Sequence, residues 1–205
     1  MTDAAFWDRI APKYSTQPIS NPDAYEETLK RTRSYLGSDT QALELGCGTG
    51  STALRLFEGA SKYVATDISQ GMIDIANAKL TDMSGPKPEF RVGGVDPSTY
   101  ANDSFNTVLA FNLLHLVPDF DEALSAIHGM LPEHGLFISK TPALAGRWYL
   151  RPLIWGMQKM GRAPHVSFLS VEDLDTRIAA AGFRIVETGL YPPSTPSRFV
   201  VARKV

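Results

Sequence analysis

Glu44-Leu45-Gly46-Cys47-Gly48-Thr49-Gly50 is the stretch best equipped for chemistry, an acid followed by three glycines at alternate positions. Glycines so spaced open backbone conformations closed to other residues and remove side chains where a ligand would press on peptide groups. Glu44 would repel a pyrophosphate but attracts a cationic amino-acid ligand. The Gly-x-Gly-x-x-Gly dinucleotide spacing also fails, because Ser51 stands where the third glycine belongs and Gly50 comes one residue early. Asp67 ends the next β-prone run, at about the distance where nucleoside-binding folds place an acid for ribose hydroxyls. His115, after a later apolar run, is the candidate base, since an unperturbed imidazole titrates near neutrality; a hydrogen-bonded structural histidine is the other reading. No metal-ligand spacing such as His-x-x-x-His occurs.

These residues need elements to hold them. Residues 41–45 form a short buried strand and 51–57 have helical spacing at Ala53, Leu54 and Phe57, so the glycines sit on a strand-to-helix turn. Residues 63–67 predict a second strand, 70–82 a helix on Met72, Ile73, Ala76 and Leu80, 88–92 a third strand and 104–112 a fourth. Asp119-x-x-Glu122 reads as a capping box opening a helix to Leu131, with His128 solvated on it, before a fifth strand at 135–140. Ser170-x-x-Asp173 caps another helix, closed by Gly182. Strands at 183–188 and 198–203 flank a proline-rich connection, 190–196, with no helical pattern, and so pair antiparallel. Ahead of the first strand, Phe6, Trp7, Ile10 and Tyr14 mark a helix ended by Pro18, and Asn21-Pro22 opens a second that runs to Gly37.

At 205 residues the chain suits one α/β domain, and 43% hydrophobic with 20% charged residues is ordinary for a globular protein. A net charge of −2 gives no footprint for nucleic acid. The single cysteine, Cys47, excludes an internal disulfide and a Cys-based zinc site and suits a reducing compartment. With no long apolar run and no basic-then-apolar N-terminus, the expectation is a cytoplasmic protein.

Glu44-x-Gly46-x-Gly48-x-Gly50 resembles the first motif of the class I S-adenosylmethionine (SAM) methyltransferases, and Phe6-Trp7-Asp8-Arg9-Ile10-Ala11-Pro12-Lys13-Tyr14 resembles the opening of their ubiquinone and menaquinone C-methyltransferase branch. Asn112 with Leu114-His115 is similar to the family's motif after the fourth strand. The resemblance covers roughly residues 40–142 and 170–204. It implies an α/β, Rossmann-like three-layer sandwich whose mostly parallel seven-stranded sheet, order 3-2-1-4-5-7-6, ends in an antiparallel hairpin. Residues 1–205 would then be a single methyltransferase domain, with 1–38 as a helical cap and 143–169 as an acceptor lid. The implied cofactor is SAM, held by Tyr14, Glu44, Gly46, Cys47, Gly48 and Gly50, by Asp67, Ile68 and Met72, and by Gly94, Val95, Asp96, Asn112 and Leu113. At Gly94 the chain departs from the family, which carries an acid there for adenine; either Asp96 or backbone alone takes that contact. The implied acceptor is a small molecule, apolar or lipid- or quinone-like, met by His115 as base and by Arg147, Trp148, Arg151 and Tyr191.

Between His134 and Val171 there is no Asp or Glu, while Lys140, Arg147, Arg151, Lys159 and Arg162 alternate with bulky apolar residues. That mixture suits an anionic apolar acceptor or peripheral contact with an anionic membrane; a solvated amphipathic cover is the plainer reading. Pro152 and Gly156 predict a broken helix there. Two other functions compete: an NAD-dependent oxidoreductase, disfavoured by the glycine spacing and Glu44, and a non-catalytic nucleoside-binding domain of the same fold.

Overall fold

The computed structural model describes residues 3–194 and 197–205; residues 1–2 of the expected N-terminus and 195–196 of the expected connection lie outside them. Strands β1 (Gln41–Leu45), β2 (Lys62–Asp67), β3 (Glu89–Val92), β4 (Thr107–Phe111), β5 (Leu136–Pro142), β6 (Phe183–Leu190) and β7 (Ser197–Lys204) form one seven-stranded sheet. Its order is β3-β2-β1-β4-β5-β7-β6, parallel from β3 to β5 and antiparallel at β5–β7 and β6–β7. Helices are α1 (Asp3–Ser15), α2 (Pro22–Arg33), α3 (Ala53–Leu56), α4 (Gln70–Ala78), α5 (Phe120–Met130), α6 (Arg151–Lys159) and α7 (Val171–Ala180).

The period-two alternation of each strand divides the core. Leu43, Leu45, Val108 and Phe137 face α5 and α7, which bury Leu124, Ile127, Leu174 and Ile178 against them. Ala42, Leu109, Ile138 and Val201 face the other way, onto Leu29 of α2, Ala53 and Leu56 of α3 and Ile73 and Ala76 of α4. Crossover helices on both faces are what a parallel sheet with fully buried strands requires. Glu187 of β6 accepts from Arg31 and, at 2.7 Å, from the Tyr35 hydroxyl, and so ties the end of α2 to the far edge of the sheet.

Several local expectations change. The helix after the glycine turn shrinks to one α-turn, Ala53–Leu56, followed by a 3-10 turn at Phe57–Gly59, because Gly59 packs under Leu36 and the chain must re-enter the sheet at Lys62. Asp119 caps α5 by accepting from Glu122 N at 2.9 Å, and this bond alone is the cap; the reciprocal box is made instead by Ser170 and Asp173 on α7. Pro152 opens α6 at its first turn, where its missing N–H costs nothing, and Gly156 stays inside that helix; the break comes earlier, at Arg147 with φ −107 and ψ 34. His128 is packed rather than solvated, its ring edge-on to Phe183 at 5.2 Å.

Gly50 illustrates how packing is decided at a distance in sequence. It sits at φ +77, and a Cβ there would lie 2.5 Å from Phe90 of β3 and 3.0 Å from Ala76 of α4. Gly50→Ala is therefore expected to lower unfolding free energy in urea by roughly 2–4 kcal/mol, from left-handed strain plus overpacking. A loss below about 0.5 kcal/mol would show that the turn and Phe90 yield freely.

Candidate functional site

The carboxyl ends of β1, β2 and β4 converge on a cavity of about 330 Å³, a size used for small-molecule ligands. β1 delivers Glu44 and the turn. Gly46 and Gly48 have φ of +69 and +55, and a Cβ on Gly46 would strike Leu113 at 2.8 Å, so only glycine leaves this floor open. β2 delivers Asp67, whose two oxygens accept from Gly48 N and Ser69 N, both at 2.9 Å. The carboxylate thereby holds the turn against the start of α4 and keeps its remaining lone pairs for a ligand. Ser69 caps α4 by accepting from Met72 N at 3.1 Å, and its hydroxyl donates to Asp8 of α1 at 2.6 Å. Asp8 also accepts from Gly71 N at 3.0 Å, so α1 is latched over the cavity and presents Asp3, Trp7 and Tyr14 to it.

Desolvation dominates the electrostatics. Glu44 is 2% exposed, and burial first, with a repulsive contribution from Asp67, raises its pKa to about 7 against the bond donated by Tyr63 at 2.7 Å. Asp67 is raised for the same first reason, and the bonds it accepts from backbone N–H groups, Ser69 and Gly48 foremost, only moderate the effect. Burial and then the two neighbouring acids push the Cys47 thiol up, which removes it as a nucleophile. Tyr14 is raised by desolvation and by Asp67.

The structure brings Tyr14, Glu44, Gly46, Cys47, Gly48, Asp67, Ile68, Met72, Gly94, Val95, Asn112 and Leu113 around this one cavity. Two expected residues are elsewhere. Gly50 is turned into the α4–β3 packing, and Asp96 spends its carboxylate on Ser98 N and Oγ, at 2.9 and 2.8 Å, as an N-cap. Where the family has an acid, this chain has Gly94, whose carbonyl accepts from Tyr100 OH at 2.7 Å. Sequence reasoning missed Trp7 and Asp3 as lining residues, although their spacing to Tyr14 sets all three on one helix face. Asn112 takes φ +55, a left-handed conformation in a non-glycine residue, at the cavity mouth.

A second cavity, about 620 Å³, lies between α1, α2, the ends of β4 and β5 and the Tyr191-Pro192 turn. It shares Trp7, Tyr14, Asn112 and Leu116 with the first, so the two are contiguous. His115 lines only this second cavity. Burial lowers its pKa to about 4, below the near-neutral value that made it attractive as a base, and its Nδ1 is buried without a partner. Of the four expected acceptor residues, Tyr191 lines the second cavity; Arg147, Trp148 and Arg151 lie outside both, because the kink at Arg147 carries them to the surface.

The methyltransferase-domain family pattern matches residues 20–188. The chain belongs to the methyltransferase domain family. Together with the acid-glycine turn and the strand order, this makes it a class I SAM-dependent methyltransferase domain, and nothing supports the oxidoreductase alternative. It is 26% identical over 212 residues to the ubiquinone biosynthesis O-methyltransferase of Parvibaculum lavamentivorans, covering 94% of this chain and 82% of that protein. It is 29% identical over 175 residues to a highly reducing polyketide synthase of Gibberella moniliformis, covering 76% of this chain. The chain spans only 7% of that synthase's length. Its fold resembles that of magnesium protoporphyrin IX methyltransferase from Synechocystis, TM-score 0.70 at 17% identity, over 98% of this chain and 94% of the other.

The cavity fits the donor of this family. The open glycine floor admits an amino-acid moiety beside Glu44, Asp67 stands at the strand end suited to a ribose diol, and Ile68, half exposed beside Gly94, offers an apolar wall. A carboxylate with a raised folded-state pKa stabilises the fold most below its unfolded value, near 4.5, and that contribution is lost as pH rises through about 7. A cationic ligand favours the ionised form. SAM affinity in calorimetry is therefore expected to rise about tenfold between roughly pH 6 and 8. Glu44→Gln should bind more weakly and show no such rise, whereas an unchanged slope in that variant would remove Glu44 as the titrating group.

Proposed function

We propose that this domain transfers the methyl group of SAM to a small acceptor lodged in the second cavity. The observation that carries the reading is the pair of contiguous cavities, one built for the donor and the other lined by His115 and aromatic side chains. SAM when bound supplies an activated sulfonium methyl, so the protein's main task is alignment and exclusion of water. Trp7 and Tyr14, on the latched α1, form the wall common to both cavities. His115 stays neutral across the physiological range, and because burial makes it a weak base it would take a proton only from an acceptor already acidified by the incoming methyl group. Methyl-labelled SAM incubated with the protein and a metabolite and lipid extract, followed by mass spectrometry, tests transfer directly; absence of any labelled product would sink it. With the acceptor so found, His115→Ala is expected to lower kcat by about 10²-fold or more and leave SAM affinity within about twofold. The acid limb of wild-type kcat/KM should lie near pH 4. A limb near pH 6.5 that survives in His115→Ala would exclude it as the base.

We further infer that the surface around α6 rests on an anionic lipid surface from which an apolar acceptor is drawn. Trp148, Tyr149, Leu153, Trp155 and Met160 are all at least 60% exposed, and no residue of Ala145–Leu150 or Arg151–Lys159 is buried. A merely amphipathic cover would put these side chains on the core. The cations beside them, Arg147, Arg151, Lys159 and Arg162, meet no acid anywhere between Glu133 and Glu172 in sequence, which is the charge complement of phosphatidylserine headgroups. Among the described residues no helix is long and apolar enough to cross a membrane, so contact is peripheral. The protein is expected to co-sediment with vesicles containing phosphatidylserine and not with pure phosphatidylcholine, with the bound fraction falling as salt screens the charge. Lack of binding at low salt, or equal binding to neutral vesicles, overturns this.

A further inference from the structure

β5 reads Leu136, Ile138, Lys140 along the face that it shares with Leu109, Phe199 and Val201. A lysine thus occupies the third position of an otherwise apolar stripe, which strand periodicity assigns to the interior. It is not fully covered, because the sheet end at that point opens into the second cavity, and Lys140 lines it. Other partly covered lysines have partners: Lys62 pairs with Asp103 at 2.7 Å, Lys79 donates to Thr49 O at 2.6 Å, and Lys204 donates to His128 O and Leu131 O at 2.8 Å. Among the described residues the Lys140 ammonium has none. Its backbone is in contrast fixed, since its carbonyl accepts from Asn112 N at 2.7 Å, next to the shared boundary of the two cavities. Among the described residues no Asp or Glu lines the second cavity, and the titratable groups that share its lining with Lys140 are His115, Tyr14, Tyr25 and Tyr191. A half-buried cation with no protein partner keeps its hydration only through the opening of the cavity, and a ligand carboxylate there would replace that water. Burial accordingly lowers its pKa, with no compensating acid.

We propose that Lys140 holds the carboxylate of the methyl acceptor, and that the acceptor's body is an aromatic or similarly flat apolar system set between Trp7, Tyr25 and Tyr191. The assignment rests on the methyl-transfer reading of the second cavity and names its substrate class. A single ammonium orients one carboxylate and leaves the rest of the molecule to be sorted by shape along the walls that the second cavity shares with the first, Trp7, Tyr14, Asn112 and Leu116. Lys140 is then a specificity residue that binds substrate without taking part in the proton transfer.

Calorimetric titration of the protein saturated with S-adenosylhomocysteine, using 2-naphthoate and the isosteric 2-naphthamide as probes, tests this. The carboxylate is expected to bind about tenfold more tightly than the amide, the gain of a charge-assisted contact. Lys140→Gln should abolish that preference and leave affinity for S-adenosylhomocysteine unchanged; Lys140→Met, better matched to an apolar strand position, replaces it if the glutamine variant misfolds. Equal affinities of the two probes for the wild type, no binding of naphthoate at millimolar concentration, or a preference retained in both folded variants would overturn the proposal. Failure of S-adenosylhomocysteine itself to bind would instead refute the methyl-transfer reading, while the preference measured on the unliganded protein still decides the role of Lys140.

Discussion

The carboxylate of Asp67 is the joint on which the site depends. A buried acid must find donors or lose its charge, and here the donors are Gly48 N of the glycine turn and Ser69 N at the head of α4. Two loops that follow different strands are thereby pinned to one another. The same Ser69 then passes the connection to Asp8, and with it to α1. One chain of hydrogen bonds therefore shapes the donor floor, starts a helix and lowers the helical roof. Without Asp67 the turn would keep its own backbone bonds, Cys47 N to Thr66 O at 2.9 Å and Gly50 N to Cys47 O at 3.0 Å, and lose its tie to the head of α4.

Four titratable groups around the two cavities share a condition. Glu44 and Asp67 are raised, His115 and Lys140 are lowered, and in each case desolvation is the first cause. Every one is pushed toward its uncharged form by the cavity walls. Such a site is electrostatically incomplete, and ligands bearing a cation on the Glu44 side and an anion on the Lys140 side would each relieve part of the penalty. The proposed pairing of a cationic donor with an anionic acceptor would suit this separation of acids and bases into different cavities.

The segment from Ala145 to Lys159 obeys a different rule from the rest of the chain. Elsewhere apolar residues at helical spacing mark contact with the sheet, as Leu124 and Ile127 do on α5 and Leu174 and Ile178 on α7. On α6 the bulky side chains Leu153 and Trp155 point to solvent, although they are as apolar as those of α5. Exposed clusters of this kind mark surfaces that meet something.

Much of the frame was legible in the sequence, because strand and helix periods, caps and alternate glycines are local signals. They located the seven strands, with β1 matched residue for residue, and resemblance supplied their order; they also singled out Glu44, Gly46, Gly48 and Asp67. Tertiary structure decided what each residue faces. Whether Gly50 touches ligand or core depends on Phe90, in another strand; whether His115 titrates near neutrality depends on how much protein excludes water from it; and whether the apolar side of α6 is covered depends on elements that could have packed there and do not. Lys140 shows the division most plainly. Its place in an apolar stripe was written in the strand's alternation, but only the convergence of α1, α2 and the Tyr191-Pro192 turn makes that place a cavity, because burial and desolvation belong to the neighbours a residue acquires in space.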